Sequence, residues 1–123
     1  MQPMKKTSLR LSSLVAERNP IGDEGCRLIA GSPVFAGLEL LNLAGAEIGS
    51  DGIAALAGAN LAALRVLRLS GNPVDKAAAK ALLASETLPR LEELDLSDTG
   101  LSKADKQSLR DSRGAKRLKT LTL

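Results

Sequence analysis

The chain contains 123 residues, of which 44% are hydrophobic and 25% are charged, and its formal net charge is +3. This balance predicts one folded domain and excludes a disordered or membrane-embedded chain, because neither charged nor apolar residues dominate. The sequence has no histidine and only one cysteine, Cys26, which excludes an imidazole-assisted nucleophile, a histidine-bound metal ion and an internal disulfide.

The N-terminal segment, residues 1–10, is expected to be a lead-in to a domain that spans residues 11–123. Arg10, Ser12 and Ser13 interrupt the apolar stretch that a secretion signal would require. No segment is long and apolar enough to span a membrane. A single cysteine is typical of a reducing compartment, so we expect a cytoplasmic protein.

An internal repeat governs the rest of the chain. Residues 38–48, 64–74 and 91–101 align, with apolar side chains at the first, fourth, sixth and eleventh positions. The first leucines of these segments are 26 and then 27 residues apart, and steps of 27 residues reach Leu11 and Leu118. The pattern predicts about four and a half repeats of 26–27 residues. Their expected boundaries are 11–37, 38–63, 64–90, 91–117 and a partial repeat at 118–123.

Each repeat is predicted to fold as a short strand followed by a helix. Alternating leucines in the first half have the period of two that a strand with one buried face requires. Helical spacing follows, with Asp23, Ser50 and Asp75 as expected N-caps and Cys26 in a core position. Because no single repeat can bury its apolar face, neighbours must stack. The expected fold is an α/β solenoid, a short curved horseshoe with a parallel sheet on its concave side and helices on its convex side.

Residues 19–33, NPIGDEGCRLIAGSP, resemble the N-x-I-G-D-E-G repeats of bacterial leucine-rich repeat proteins, whose helical convex side is of the ribonuclease-inhibitor type. The resemblance to the leucine-rich repeat family covers about residues 9–123. It implies a curved solenoid, without a cofactor, that recognises an unidentified protein partner. No group of side chains places a nucleophile beside a base, so we expect no enzymatic activity.

The ninth position of each repeat departs from the family pattern. This position is normally asparagine, whose amide satisfies backbone groups in the turn, but the four repeats have Asn19, Ala46, Asn72 and Thr99. Alanine forms no such hydrogen bond, and an unsatisfied buried backbone group costs about 1–3 kcal/mol. The sequence therefore predicts a loosened ladder around the second repeat, unless water fills the gap.

The third and fifth positions of each repeat are expected to face the concave side of the sheet. They predict a contact surface for the protein partner, with an aliphatic centre, one arginine and an acidic edge. Its expected residues are Val15, Leu40, Asn42, Val66, Arg68, Glu93 and Asp95. The alternative is a solvated sheet face on which Arg68 and Asp95, one strand apart, pair with each other.

Residues 103–119 contain seven lysines and arginines and two aspartates. Five of the basic residues recur at helical spacing and would form one stripe if the helix continued, although a glycine at position 114 argues against that. They are Lys103, Lys106, Arg110, Arg113 and Arg117. Such a stripe could contact an anion, either nucleic acid or acidic lipid. We favour a polar terminal repeat instead, because the chain has no aromatic residue placed to stack bases.

The final strand is expected to offer an unpaired edge, made of Lys119, Leu121 and Leu123. Uncovered edges invite pairing with another chain. A homo-oligomer built through this edge is therefore an alternative function. A further alternative is that the chain is a fragment of a longer leucine-rich repeat protein.

Overall fold

The computed structural model describes residues 12–123, so the lead-in residues 1–10 and Leu11 lie outside the described part. Five parallel strands form one open sheet in the order β1-β2-β3-β4-β5, and helices alternate with them along the chain. The predicted α/β architecture is confirmed. The strands are β1 Ser13–Val15, β2 Leu40–Asn42, β3 Val66–Arg68, β4 Glu93–Asp95 and β5 Thr120–Thr122. The helices are α1 Gly22–Gly31, α2 Ser50–Ala57, α3 Lys76–Leu83, α4 Lys103–Arg110 and α5 Arg113–Lys116, with a 3-10 turn at Pro33–Phe35.

The leucine columns of the repeat form the core between the sheet and the helices. Equivalent positions of adjacent strands are in register, so that Leu41, Leu67 and Leu94 follow one another across the sheet. All three side chains are fully buried. Each buried leucine contributes about 1.5–3 kcal/mol of transfer free energy, so the repeated column is a main source of stability. Cys26 is also fully buried, and the prediction of a core cysteine is confirmed.

The amide of Asn72 ties the second and third repeats together. Its Oδ1 accepts hydrogen bonds from the backbone N–H groups of Ala46 and Ile48, each at 3.0 Å. Its Nδ2 donates to the carbonyl oxygens of Leu43 at 2.8 Å and Leu69 at 2.9 Å. The prediction of a loosened second repeat is therefore wrong. An asparagine at this position hydrogen-bonds to the backbone of the preceding repeat. The backbone N–H of Ala46 therefore has an acceptor in the third repeat.

The absence of an asparagine at position 46 affects the turn of the first repeat instead. The turn there closes with short-range backbone hydrogen bonds, from Asn19 N–H to the Ala16 carbonyl and from Ile21 N–H to the Asn19 carbonyl. Gly22 N–H donates to the Ala46 carbonyl and completes the link between the two repeats. The backbone thus replaces the missing amide.

Helix capping also crosses from one repeat to the next. Asp23 was expected to cap α1, and that prediction is wrong: its Oδ1 accepts from the N–H groups of Gly49 at 2.7 Å and Gly52 at 3.0 Å, at the start of α2. A side chain at Gly52 would collide with the same carboxylate. Ser50 is likewise not a cap, and its Oγ donates to the carboxylate of Asp75 at 3.0 Å. Asp75 does cap α3, because it accepts from Ala78 N–H, as predicted.

The helix of the fourth repeat is broken. α4 ends at Arg110, the chain turns, and α5 begins after Ser112, whose Oγ accepts from the backbone N–H of Ala115. Gly114 lies so close to the carbonyl group of Leu83 that a Cβ atom would be only 2.0 Å from that oxygen. The basic residues therefore do not form one continuous stripe, as the glycine at position 114 indicated, and the close packing of Gly114 against α3 accounts for the break.

Candidate functional site

The concave face is the sheet surface formed by the third and fifth positions of the repeats. Leu40 and Val66 are direct neighbours on β2 and β3, and both are half-buried. Val15 lies in the adjacent column, beside Asn42, and is 60% exposed. The structure thus brings together two of the three predicted aliphatic residues, with the third diagonal to them on the outermost described strand.

Asn42 is part of the sheet framework rather than an exposed contact residue. It is only 5% exposed. Its Nδ2 donates to Glu17 Oε1 at 2.7 Å, and its Oδ1 accepts from Ala44 N–H at 3.1 Å. Both ends of the amide are therefore occupied within the chain, and Glu17 is the exposed side chain at this point.

Arg68 and Asp95 are neighbours across β3 and β4, but they do not form an ion pair within the described residues. Asp95 Oδ1 instead accepts from the N–H and Oγ of Ser97, at 3.0 and 2.7 Å. The alternative of a self-neutralised pair is therefore wrong. Arg68 is exposed, and its side chain makes no ion pair with another residue of 12–123. A depression of about 220 Å³ beside it is lined by Glu93, Asp95 and the threonines of β5.

A charge ladder crosses the sheet where the strands begin. The second position of the repeats places Glu39, Arg65, Glu92 and Lys119 side by side. Arg65 hydrogen-bonds to Glu92 and lies 4.0 Å from Glu39, and Lys119 Nζ is 2.6 Å from Glu92 Oε1. Hydrogen bonds from Arg65 and Lys119 lower the pKa of the Glu92 carboxyl to about 2. In the sequence these residues form a column of alternating charge at the second position of the repeats, a signal that the leucine pattern does not include.

The predicted oligomer edge is partly occupied by this ladder. Lys119 is bound to Glu92 through its side chain, and its N–H donates to the Glu92 carbonyl at 2.8 Å. Leu121 and Leu123 are half-buried against the core. In the described part of the chain β5 pairs with β4 alone, so its outer edge faces no other strand.

The five basic residues of the fourth repeat fall into two groups. Lys103, Lys106 and Arg110 belong to α4, whereas Arg113 and Arg117 lie beyond the break. The guanidinium of Arg117 donates to the carbonyl oxygens of Leu88 at 3.2 Å and Ser85 at 3.3 Å. Arg113 and Arg117 line a cleft that also includes Lys80 of α3.

Reactive groups are sparse among the described residues. Burial raises the pKa of the Cys26 thiol to about 12, with a smaller contribution from the nearby Asp23 carboxylate. The thiol is therefore protonated at neutral pH and is a poor nucleophile. Residues 12–123 include no group of acidic, cysteine or histidine side chains that could hold a metal ion. None of the helices in this part of the chain is long and apolar enough to cross a membrane.

Comparison with known proteins adds one finding on the family. A family model described as Leucine Rich repeat matches residues 38–57. The match begins just before β2 and ends with α2, so it covers one strand and one helix of the stack. No curated protein matches the chain.

Proposed function

We infer a protein-binding function from the premise that this chain is a leucine-rich repeat protein, as the family match and the five in-register parallel strands indicate. Repeats of this kind typically serve as non-catalytic interaction modules, because stacked strands offer an extended binding surface. We assign residues 11–123 to the repeat domain and place the protein in the cytoplasm, where one reduced cysteine is expected. The proposed contact surface is the concave face.

The exposed side chain of Arg68 is the observation that carries this proposal. Arginine is enriched at the centre of protein interfaces, where it gains most when it meets a carboxylate away from water. Its cross-strand neighbours are Asn42 and Asp95, and the adjacent column holds the half-buried pair Leu40 and Val66, followed by the acidic Glu93. An exposed cation that has no ion pair with residues 12–123 and lies near aliphatic side chains is suited to a contact that a partner completes.

The proposal predicts which substitutions abolish binding without unfolding the protein. Arg68→Glu and Leu40→Asp should prevent capture of the partner from a cell extract, because each removes a central contact of the concave face. Matched controls on other surfaces are Leu28→Asp, where the leucine is 67% exposed on α1, and Arg90→Glu. Thermal melts establish that all four variants are folded. Equal loss of capture in the controls, or full retention in the concave variants, would refute the proposal.

Self-association through the outer edge of β5 is a second candidate function. It is favoured by the partial exposure of three leucines, Leu118, Leu121 and Leu123, which are half-buried. Their counterparts one repeat earlier, Leu91, Leu94 and Leu96, are buried. Light scattering coupled to size exclusion tests it with the double variant Leu121→Lys/Leu123→Lys. A dimer that becomes a folded monomer supports the edge contact, and a monomeric parent protein refutes it.

A further inference from the structure

A cleft on the helical side of the molecule lies between the end of α3 and α5. Its volume is about 580 Å³. Cavities of about 300–1,000 Å³ are typical of small-molecule sites. The apolar residues of the lining are Ala84, which is exposed, and Leu83, which is only 3% exposed. Lys80, Arg113 and Arg117 line the cleft, together with Glu86.

The cleft exists because the fourth repeat does not continue the helical stack. α1 and α2 pack along much of their length, whereas α3 touches α4 and α5 only locally. α5 comes very close to the end of α3 where Gly114 meets the Leu83 carbonyl group. Beyond that contact the two segments separate and leave space above the last turn of α3.

The charges around the cleft do not neutralise one another. Lys80, Arg113 and Glu86 form no ion pair with any residue in the described range 12–123. The guanidinium of Arg117 is held in place by the carbonyl oxygens of Ser85 and Leu88, which fixes a positive charge without neutralising it. Three cations and one carboxylate leave two uncompensated positive charges.

The hydroxyl groups of the lining are already committed. Ser85 Oγ donates to the Ala57 carbonyl, and Ser112 Oγ donates to the Leu109 carbonyl at 2.7 Å. Among the side chains of the lining, the ammonium and guanidinium groups are therefore the hydrogen-bond donors that remain for a ligand. Such groups form their strongest hydrogen bonds with phosphate or carboxylate oxygens.

We propose that this cleft binds a small organic phosphate monoester, whose phosphate group contacts Lys80 and Arg113 while its apolar part packs against the exposed Ala84, beside Leu83. A phosphate monoester carries about −1.5 to −2 charges at pH 7, which matches the surplus of the lining. Its three oxygens can accept from several cations at once, whereas a carboxylate has only two. The site is separate from the concave face and does not depend on the protein-binding proposal.

Phenyl phosphate is a suitable probe, because it combines both chemical features in a molecule that fits the cleft. Titration of the isotope-labelled full chain, followed by amide NMR, should give saturable shifts centred on Ser85, Ser112 and Gly114. Inorganic phosphate lacks the apolar part and phenol lacks the charge, so each should bind at least about 10-fold more weakly, given the free energies of these contacts.

The double variant Lys80→Glu/Arg113→Glu should weaken phenyl phosphate binding by at least about 10-fold, because charge-assisted hydrogen bonds are lost. Lys103→Glu/Arg110→Glu makes the same change in net charge on α4 and should leave the affinity within about twofold. Arg117 is kept, since it supports the fold.

Three results would overturn the proposal. The first is that phenyl phosphate shows no saturable binding up to about 10 mM, which is at the weak end of ligand affinities. The second is an equal loss of affinity in both double variants, and the third is a set of amide shifts centred away from the cleft. A phosphotyrosine peptide that bound more tightly than phenyl phosphate would also overturn the small-molecule assignment, because it would place the site at a protein interface.

Discussion

Replacement of Asn72 by alanine should be the most damaging single polar substitution in this protein. Asn72 is 1% exposed, and its amide serves two backbone N–H groups and two carbonyl oxygens of adjacent turns. Each buried group left without a partner costs about 1–3 kcal/mol. Two of the four groups are the N–H donors of Ala46 and Ile48, which have no other acceptor among residues 12–123. We expect a net loss of about 3 kcal/mol, after water enters the gap.

That loss is large compared with the whole stability of a domain, which is about 5–15 kcal/mol. It should lower the melting temperature by about 10 °C for a chain of this size. Thermal and urea unfolding followed by circular dichroism measure it directly. Thr99→Ala is the matched control, because Thr99 occupies the same position one repeat later and its hydroxyl makes one hydrogen bond, to the Leu96 carbonyl.

The control should lose only about 1 kcal/mol, the net value of a single hydrogen bond. Asn72→Asp separates the two roles of the amide, since it keeps an acceptor for Ala46 and Ile48 but removes both donors. If Asn72→Ala cost no more than Thr99→Ala, the cross-repeat amide could not be the main tie between the second and third repeats, and the reasoning would be refuted.

Three further substitutions test the turn at Arg18, the charge ladder and the close approach of Gly114 to α3. Arg18 has a left-handed backbone conformation, with φ of 60°, which glycine adopts more easily than other residues. Arg18→Gly should therefore raise the free energy of unfolding, measured in urea, by about 0.5–1 kcal/mol. An unchanged or lower free energy would contradict this. The basic neighbours of Glu92 lower its pKa from 4.5 to about 2, so its carboxylate stabilises the fold above pH 4.5 and loses this effect as the pH falls toward 2. Glu92→Gln should therefore lower the free energy of unfolding at pH 7, and the difference from the parent protein should shrink over that pH interval. A difference that did not depend on pH would count against this explanation. Gly114→Ala places a methyl group against the Leu83 carbonyl and should cost about 1–3 kcal/mol on thermal unfolding, whereas Gly31→Ala, where no atom lies within 4 Å, should cost nothing.

Period and spacing were sufficient to predict the architecture. Leucines at every second position give a strand with one buried face. A nearly constant repeat length then lets successive strands stack in register. The burial of Leu67 and Leu94 and the core position of Cys26 were therefore predictable. The cap at Asp75 was predictable as well, because its carboxylate reaches its own helix.

The errors have a shared cause, since they arise where a side chain acts on a neighbouring repeat. Asp23 caps the next helix and Asn72 satisfies the preceding turn, and a pattern read within one repeat assigns both to the wrong place. The glycine at position 114 did indicate a break in the fourth helix, but the contact behind it, between Gly114 and Leu83 across 31 positions of the chain, could not be predicted. Contacts of this kind need the stacked structure.

The candidate site was predictable in outline but not in its electrostatics. Alternation placed Arg68 and Asp95 on the same face and on adjacent strands, as the register shows. It could not predict that Asp95 turns to Ser97, which leaves Arg68 without an ionic partner in the described structure, or that Asn42 is buried against Glu17. Those outcomes depend on the rotamers of neighbouring polar side chains, which a linear pattern does not encode.

Site-specific photo-crosslinking tests the central claim, recognition through the concave face, most directly. A benzophenone side chain is introduced at Leu40 or Val66 on the concave face, or at Leu28 on the helical side, and each protein is irradiated in a cell extract. If a partner is recognised through the concave face, the two concave positions should give discrete crosslinked protein species. These species should disappear when Arg68 is changed to glutamate. Crosslinks from Leu28 alone, or crosslinks from Leu40 and Val66 that persist in Arg68→Glu, would contradict it.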